Sequence, residues 1–221
     1  MVMKRRCVLC LGRCCGELDL CEACARDLPR LRTTCSRCGL PMPVAGLCGP
    51  CIKNPPPYHL CRAPFLYTYP LDRLILGLKF DQQLRLARLL GVLFALEVEA
   101  GIEEAPECLI PIPLHPQRLI LRGYNQALEI ARPISQRLGI PIALDRCARH
   151  RNTAPQTRLN PGLPRRRNLR NAFLVTDRAP LRRVALLDDV VTSGATVTEL
   201  SNALLRAGYG CIEVWAISRA V

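Results

Sequence analysis

The stretch Val184-Ala185-Leu186-Leu187-Asp188-Asp189-Val190-Val191-Thr192-Ser193-Gly194-Ala195-Thr196 decides how the rest of the chain is read. Four apolar residues make a short buried strand. Two carboxylates stand at its carboxyl end, where open α/β sheets place their ligands. Successive strand residues face opposite ways, so Asp188 and Asp189 reach one ligand only if the chain leaves the strand there. Residues 192–196 supply hydroxyls, and Gly194 lets the backbone curl directly into a helix. Amide groups at such a turn, with the positive end of the helix dipole, make a cradle for a monophosphate. A phosphate beside two acids needs a neutral spacer. A ribose is one, because its 2′ and 3′ hydroxyls donate to carboxylates while its 5′-phosphate lies in the loop.

Working outward, the strand over 184–187 is followed by a helix over 194–207, closed by Gly208, and a last strand over 211–217. Upstream, residue spacing predicts a strand over 63–69 and helices over 71–80 and 84–99. A buried strand over 108–114 leads into a loop, an amphipathic helix follows over 125–138, and 139–144 is a candidate strand. Strands alternating with helices imply a mostly parallel sheet. Residues 149–170 hold prolines and arginines without apolar periodicity. A connection of that length reads as a lid or binding loop, with Arg165, Arg166 and Arg167 as candidate flap cations.

The 221 residues carry 31 Lys+Arg against 18 Asp+Glu, a formal charge of +13. That charge is uneven: residues 115–183 hold +12 of it, and every cation there is arginine. Guanidinium forks match phosphate geometry, so the density favours a polyanionic ligand. No apolar run approaches the roughly 20 residues of a membrane helix, and no secretory h-region follows the basic start. The expectation is a cytoplasmic protein without membrane insertion.

Eleven of the fourteen cysteines lie in residues 1–61, and eight form four CxxC pairs: Cys7/Cys10, Cys21/Cys24, Cys35/Cys38 and Cys48/Cys51. In a reducing compartment this pattern points to metal rather than disulfides. Two CxxC turns complete a four-thiolate zinc site with no open position, so zinc here is structural. Sequential pairing gives Cys7, Cys10, Cys21, Cys24 for one Zn²⁺ and Cys35, Cys38, Cys48, Cys51 for the other. A cross-braced arrangement satisfies the same spacing, and Cys14 or Cys15 can compete for the first site. Two filled sites take four units from the formal charge, leaving the module near +1 and weakening any electrostatic grip on nucleic acid. About 50 residues with few large apolar side chains need such staples. The break at 52–57 (IKNPPP) divides a zinc-binding module, 1–57, from a larger domain, 58–221.

The 184–196 stretch resembles the phosphoribosyl-pyrophosphate signature of type I phosphoribosyltransferases. The CxxC pairs, Pro111-Ile112-Pro113-Leu114-His115, Arg118 and Arg122-Gly123-Tyr124-Asn125-Gln126-Ala127, in this order before that signature, resemble the ComF family. Its members, GntX-type proteins included, are bacterial proteins linked to competence and the use of external DNA. The resemblance implies an α/β fold of type I phosphoribosyltransferase kind, a parallel sheet flanked by helices, with a small N-terminal zinc-binding domain. It implies binding of phosphoribosyl pyrophosphate with Mg²⁺, and replacement of pyrophosphate at C1′ by a nucleobase or nucleic-acid-related acceptor. Asp188 and Asp189 would then act on the ribose in catalysis. Thr192, Ser193, Gly194, Ala195 and Thr196 would hold the 5′-phosphate, and Arg118, Arg122 and Asn125 are candidates for the pyrophosphate. Asn125 also suits a helix cap. Lys79 reads as a cation at a helix end, and His115 as a support of its loop.

Two other functions compete with the enzyme: a ribose-phosphate sensor whose zinc module and arginines hold single-stranded DNA or a partner protein, and a docking protein for a competence helicase or uptake complex. With 5% aromatic residues, stacking platforms for single strands are scarce.

Overall fold

A computed structural model describes residues 5–14, 18–151 and 171–221. Cys15, Arg165, Arg166, Arg167 and nearly all of the 149–170 connection lie outside the described residues.

Two one-turn helices, α1 (Glu22–Arg26) and α2 (Gly49–Lys53), belong to the cysteine-rich segment. Strands β1 (Leu60–Arg62) and β2 (Phe65–Leu66), helices α3 (Leu71–Phe80) and α4 (Arg85–Val98), and β3 (Cys108–Pro111) follow. Then come α5 (Pro116–Arg122), α6 (Gln126–Leu138), the short strands β4 (Cys147–Arg149) and β5 (Phe173–Val175), β6 (Arg183–Val191), α7 (Ala195–Arg206) and β7 (Cys211–Arg219). The sheet is parallel throughout, in the order β1, β7, β6, β3, with β2 also pairing to β7. The fold is α/β, a five-stranded parallel sheet flanked by helices. Among the described residues no helix is long and apolar enough to cross a membrane.

The central strands are apolar on both faces, as a sheet covered on both sides requires. Leu109, Ala185, Leu187, Trp215 and Ile217 face α3, α4 and α6. Their neighbours Ile110, Val184, Leu186, Val214 and Ala216 face α7 and β5. Helices α4 and α6 meet closely at Gly91, where a Cβ would stand 2.5 Å from Pro133 Cγ and 2.6 Å from the Ile130 carbonyl oxygen. At the amino ends of the strands, buried Glu213 accepts from Trp215 Nε1 (2.8 Å) and pairs with Arg183 (3.0 Å) and Arg62 (3.4 Å).

Four expectations need correction. The strand over 63–69 is instead two pieces, 60–62 and 65–66, because Pro64 has no N–H to give the ladder. The 139–144 strand reduces to one parallel bridge, Leu109 to Ile142, with Pro141 again withholding a donor. The central strand does not end at Leu187 but runs to Val191, so the chain does not leave the sheet at the two acids. Inside 149–170, Arg149 belongs to a strand: β4 and β5 form an antiparallel pair that sequence reading missed.

The cysteine-rich segment is held to the sheet. Cys7, Leu20 and Leu28 belong to the same apolar cluster as α3 and α4. The backbone around Arg30 runs antiparallel to β2: Leu31 N donates to Pro64 O (2.7 Å) and Leu66 N to Pro29 O (2.8 Å).

Candidate functional site

The carboxyl ends of β3 and β6 frame the site. Because β6 continues past the acids, Asp188 and Asp189 project to opposite faces. Asp189 falls between the Asp188–Ala216 and Val190–Ser218 pairs of the parallel ladder and faces α3, where Lys79 meets it. Its carboxylate is 3% exposed and meets Lys79 Nζ at 2.5 Å. Asp188, facing the other way, accepts the Asp189 amide at 2.9 Å. Burial pushes the Asp188 carboxyl up to about 6, against an ordinary value of 3.8, and the attraction of Lys79 and Arg149 recovers only part of that. The amine of Lys79 is in turn depressed by burial, with Asp188 opposing the shift and Arg122 adding to it.

Sequence reading left Lys79 and Arg149 out of the site. The signal for Lys79 was present: α3 buries Leu71, Leu74, Ile75 and Leu78, and position 79 continues that stripe at i+4 from Ile75. A lysine on the buried side of an amphipathic helix needs a buried acid. Arg149 had a weaker signal, strand alternation with buried Cys147. Its guanidinium, 8% exposed by residue, lies over the Phe173 ring at 5.6 Å.

The loop after β3 reaches α5, whose first turn is capped by His115 Nδ1 accepting from Gln117 N at 3.2 Å. Arg118 and Arg122 sit on this seven-residue helix, half-buried, and burial lowers both guanidinium pKa values. Arg122 donates to Gln126 Oε1 (2.6 Å) and lies over Phe80. Asn125 closes the loop with both ends of its amide: Oδ1 accepts from Ala127 N and Nδ2 donates to the Ile112 carbonyl, each at 3.0 Å. Tyr124 donates to the Leu78 carbonyl, tying this loop to α3 beside Lys79. Lys79 and Arg149 act on Asp188 directly, while Arg122 neighbours Lys79 and Arg118 neighbours Arg149, so cations from three separate elements gather on the acid side of the sheet.

The turn from β6 into α7 has Gly194 in the left-handed region (φ 72°, ψ 4°) at the helix N-cap, where side chains are strained. Ser193 Oγ accepts from Ala195 N at 3.4 Å, and Thr192 and Ser193 are exposed. Beneath the turn, buried Arg219 donates to the carbonyls of Val191 (2.8 Å), Thr192, Ala220 (2.6 Å) and Cys38 (3.0 Å).

The eight CxxC cysteines fall into the two sequential groups, Cys7, Cys10, Cys21, Cys24 and Cys35, Cys38, Cys48, Cys51, and the cross-braced alternative is excluded. Within each group the sulfurs lie within 4.8 Å of one another. The Cys10–Cys21 and Cys38–Cys48 separations are 3.6 Å. A tetrahedron with Zn–S bonds of about 2.3 Å has edges of about 3.8 Å, so the donor sets fit such an ion. At these separations the sulfurs are not disulfide-bonded. Burial opposes ionisation of Cys7 and Cys35, but converging backbone N–H groups outweigh it and bring both thiols down to about 6. Cys14 stands outside the first group.

These features define an α/β protein whose parallel sheet carries, at the carboxyl end of its central strand, an acid pair with nearby cations and a helix-opening turn, joined to two four-cysteine groups. No family model matches the chain. It is 36% identical over 212 residues to the DNA utilization protein YhgH of Escherichia coli O157:H7, covering 93% of this chain and 92% of that one. The Salmonella typhimurium protein of the same name is 34% identical, with 91% of each chain covered. Competence protein F of Haemophilus influenzae is 35% identical over 224 residues, with 97% of each covered. The chain belongs to the ComF family, which holds these DNA utilization and competence proteins.

Proposed function

We propose that the protein binds phosphoribosyl pyrophosphate with Mg²⁺ and transfers its phosphoribosyl group to a nucleobase or nucleic-acid-related acceptor. One observation carries this reading: a left-handed glycine turn opens α7 at the end of the strand that bears two acids, with Lys79 and Arg149 against them. The 5′-phosphate lies on residues 192–196, with Ser193 and Thr196 offering hydroxyls and the turn offering amides. Asp188, on the face shared with Arg149, accepts from the ribose hydroxyls. Its ionised form favours the positive charge that develops on the ring as the C1′–pyrophosphate bond breaks. Asp189, locked to Lys79, fixes that lysine at the mouth of the site, where it and Arg118, Arg122 and Arg149 take the departing pyrophosphate. Mg²⁺ belongs with the substrate phosphates and adds charge neutralisation there. Zn²⁺ fills the two four-cysteine groups as a structural ion.

Calorimetric titration with phosphoribosyl pyrophosphate tests the reading. Binding should require Mg²⁺ and be lost in Asp188→Ala/Asp189→Ala; equal affinity in the double variant refutes it.

The names of the relatives, DNA utilization and competence, favour a second reading in which the chain also holds single-stranded DNA or docks to an uptake-complex helicase. Arginine contacts to phosphates would then make affinity fall steeply with salt, and a salt-insensitive affinity would count against them.

A further inference from the structure

Arg219 is 6% exposed, yet among the described residues its hydrogen bonds all go to backbone carbonyls. Two of those carbonyls, Val191 and Thr192, belong to the turn that opens α7, and a third belongs to Cys38 of the second cysteine group. In a trans peptide the C=O and the following N–H point in opposite directions. Holding the Val191 and Thr192 carbonyls on Arg219 therefore aims the Thr192 and Ser193 N–H groups away from it, into the turn. The other side of the guanidinium, through Nε, reads the position of the Cys38 carbonyl. That carbonyl's own peptide is fixed in the knuckle, with Gly39 N bonded to Cys35 O at 2.9 Å. Elsewhere the second cysteine group and the first turns of α7 stand apart across a groove of about 550 Å³, lined by Leu40, Pro57, Tyr58, Ser193 and Asn202. Among the described residues the hydrogen bonds that join knuckle to turn run through the Arg219 side chain, with the hydroxyl of buried Tyr58 packed beside Gly194.

We propose that Arg219 is a positioning residue that makes the anion-binding geometry of the 192–196 turn depend on metal in the Cys35, Cys38, Cys48, Cys51 group. Metal sets the knuckle, the knuckle sets the Cys38 carbonyl, and Arg219 carries that position to the two turn carbonyls. The first cysteine group instead joins the apolar core cluster that holds α3 and α4. The proposal rests on the phosphate assignment above but predicts something that assignment does not: a structural ion remote from the reaction that governs substrate affinity.

The test uses the full chain in four forms: wild type, Arg219→Lys, Cys48→Ser and the double variant, with Cys10→Ser as control. Lysine keeps the charge but cannot span from Cys38 to the turn. Inorganic phosphate and phosphoribosyl pyrophosphate with Mg²⁺ are the probes, and metal content is measured for each form. Arg219→Lys should keep both ions and lose about tenfold in affinity. Cys48→Ser should lose as much, and the double variant no more than either, because both cut the same strut. Cys10→Ser should stay within about twofold of wild type. Losses that multiply in the double variant, or an Arg219→Lys protein that binds like wild type, overturn the proposal.

A second readout needs no ligand. The amide resonances of Thr192, Ser193 and Gly194 should move when Cys48→Ser is introduced in the wild-type background and stay put in the Arg219→Lys background. Equal movement in both overturns the coupling. If neither probe binds wild type, the phosphate assignment fails, and the amide resonances alone decide the coupling. Should Cys48→Ser not fold, Arg219→Lys with both ions in place decides by itself: turn resonances identical to wild type refute the strut.

Discussion

Replacing Asp188 by asparagine should make the protein more stable while removing its ligand. Burial holds this carboxyl at about 6 in the fold, against an ordinary 3.8. Between those values the folded chain binds a proton that the unfolded chain has released. The contribution of Asp188 to stability is therefore most favourable below about pH 4 and is lost as pH rises through 6. At pH 7 the ionised carboxylate costs the fold about 3 kcal/mol, at 1.36 kcal/mol per pKa unit. At pH 4.5 the unfolded chain is only partly ionised, and the cost shrinks to about 1 kcal/mol. Asparagine keeps the shape and carries no charge, so it escapes the cost at both pH values. Urea unfolding should find Asp188→Asn more stable by about 3 kcal/mol at pH 7 and by about 1 kcal/mol at pH 4.5. Affinity for phosphoribosyl pyrophosphate with Mg²⁺ should fall at least tenfold in the same protein. A variant less stable than wild type at pH 7, or a gap that does not narrow in acid, would refute the picture of a desolvated acid held ready for a cationic partner.

Lys79→Met strands the buried Asp189 carboxylate. It should destabilise by roughly 3 kcal/mol in thermal unfolding, the low end for breaking a buried pair because Lys79 keeps some water contact. Gly91→Ala drives a methyl against the Ile130 backbone and should cost roughly 1–3 kcal/mol while leaving phosphoribosyl pyrophosphate affinity unchanged by calorimetry. Purified protein should carry two zinc ions per chain by elemental analysis, and Cys10→Ser should carry one. Chelation should lower the melting temperature steeply, since the first cysteine group shares the main apolar cluster.

Where the sequence was legible, one local rule sufficed. Helix α3 runs over 71–80 as its apolar spacing requires, and α6 begins one residue after Asn125, whose side chain caps it. The four CxxC pairs narrowed the metal sites to a sequential or a cross-braced grouping, and the fold brings together the sequential one. Where two rules met, reading failed. Pro64 and Pro141 sit in otherwise strand-like runs and remove donors the ladders need. The acid pair looked like a strand exit, yet β6 extends to Val191 because Val190 and Val191 continue the pairing with Ser218 and Arg219. The site's cations were harder still. Lys79, Arg149 and Arg219 come from α3, β4 and the end of β7, and only tertiary packing brings them near residues 188–196. The candidate acids and turn can be read from thirteen residues; the charges that surround them cannot.

The antiparallel run of Pro29–Leu31 along β2 has a consequence for attempts to trim the molecule. A chain shortened to begin at Tyr58 would bare the backbone N–H and C=O groups of the outermost strand, an open template for pairing with a second copy. It would also uncover the apolar cluster of α3 and α4 that Leu20 and Leu28 now join. Such a fragment should precipitate or form strand-paired multimers rather than report on the sheet domain in isolation.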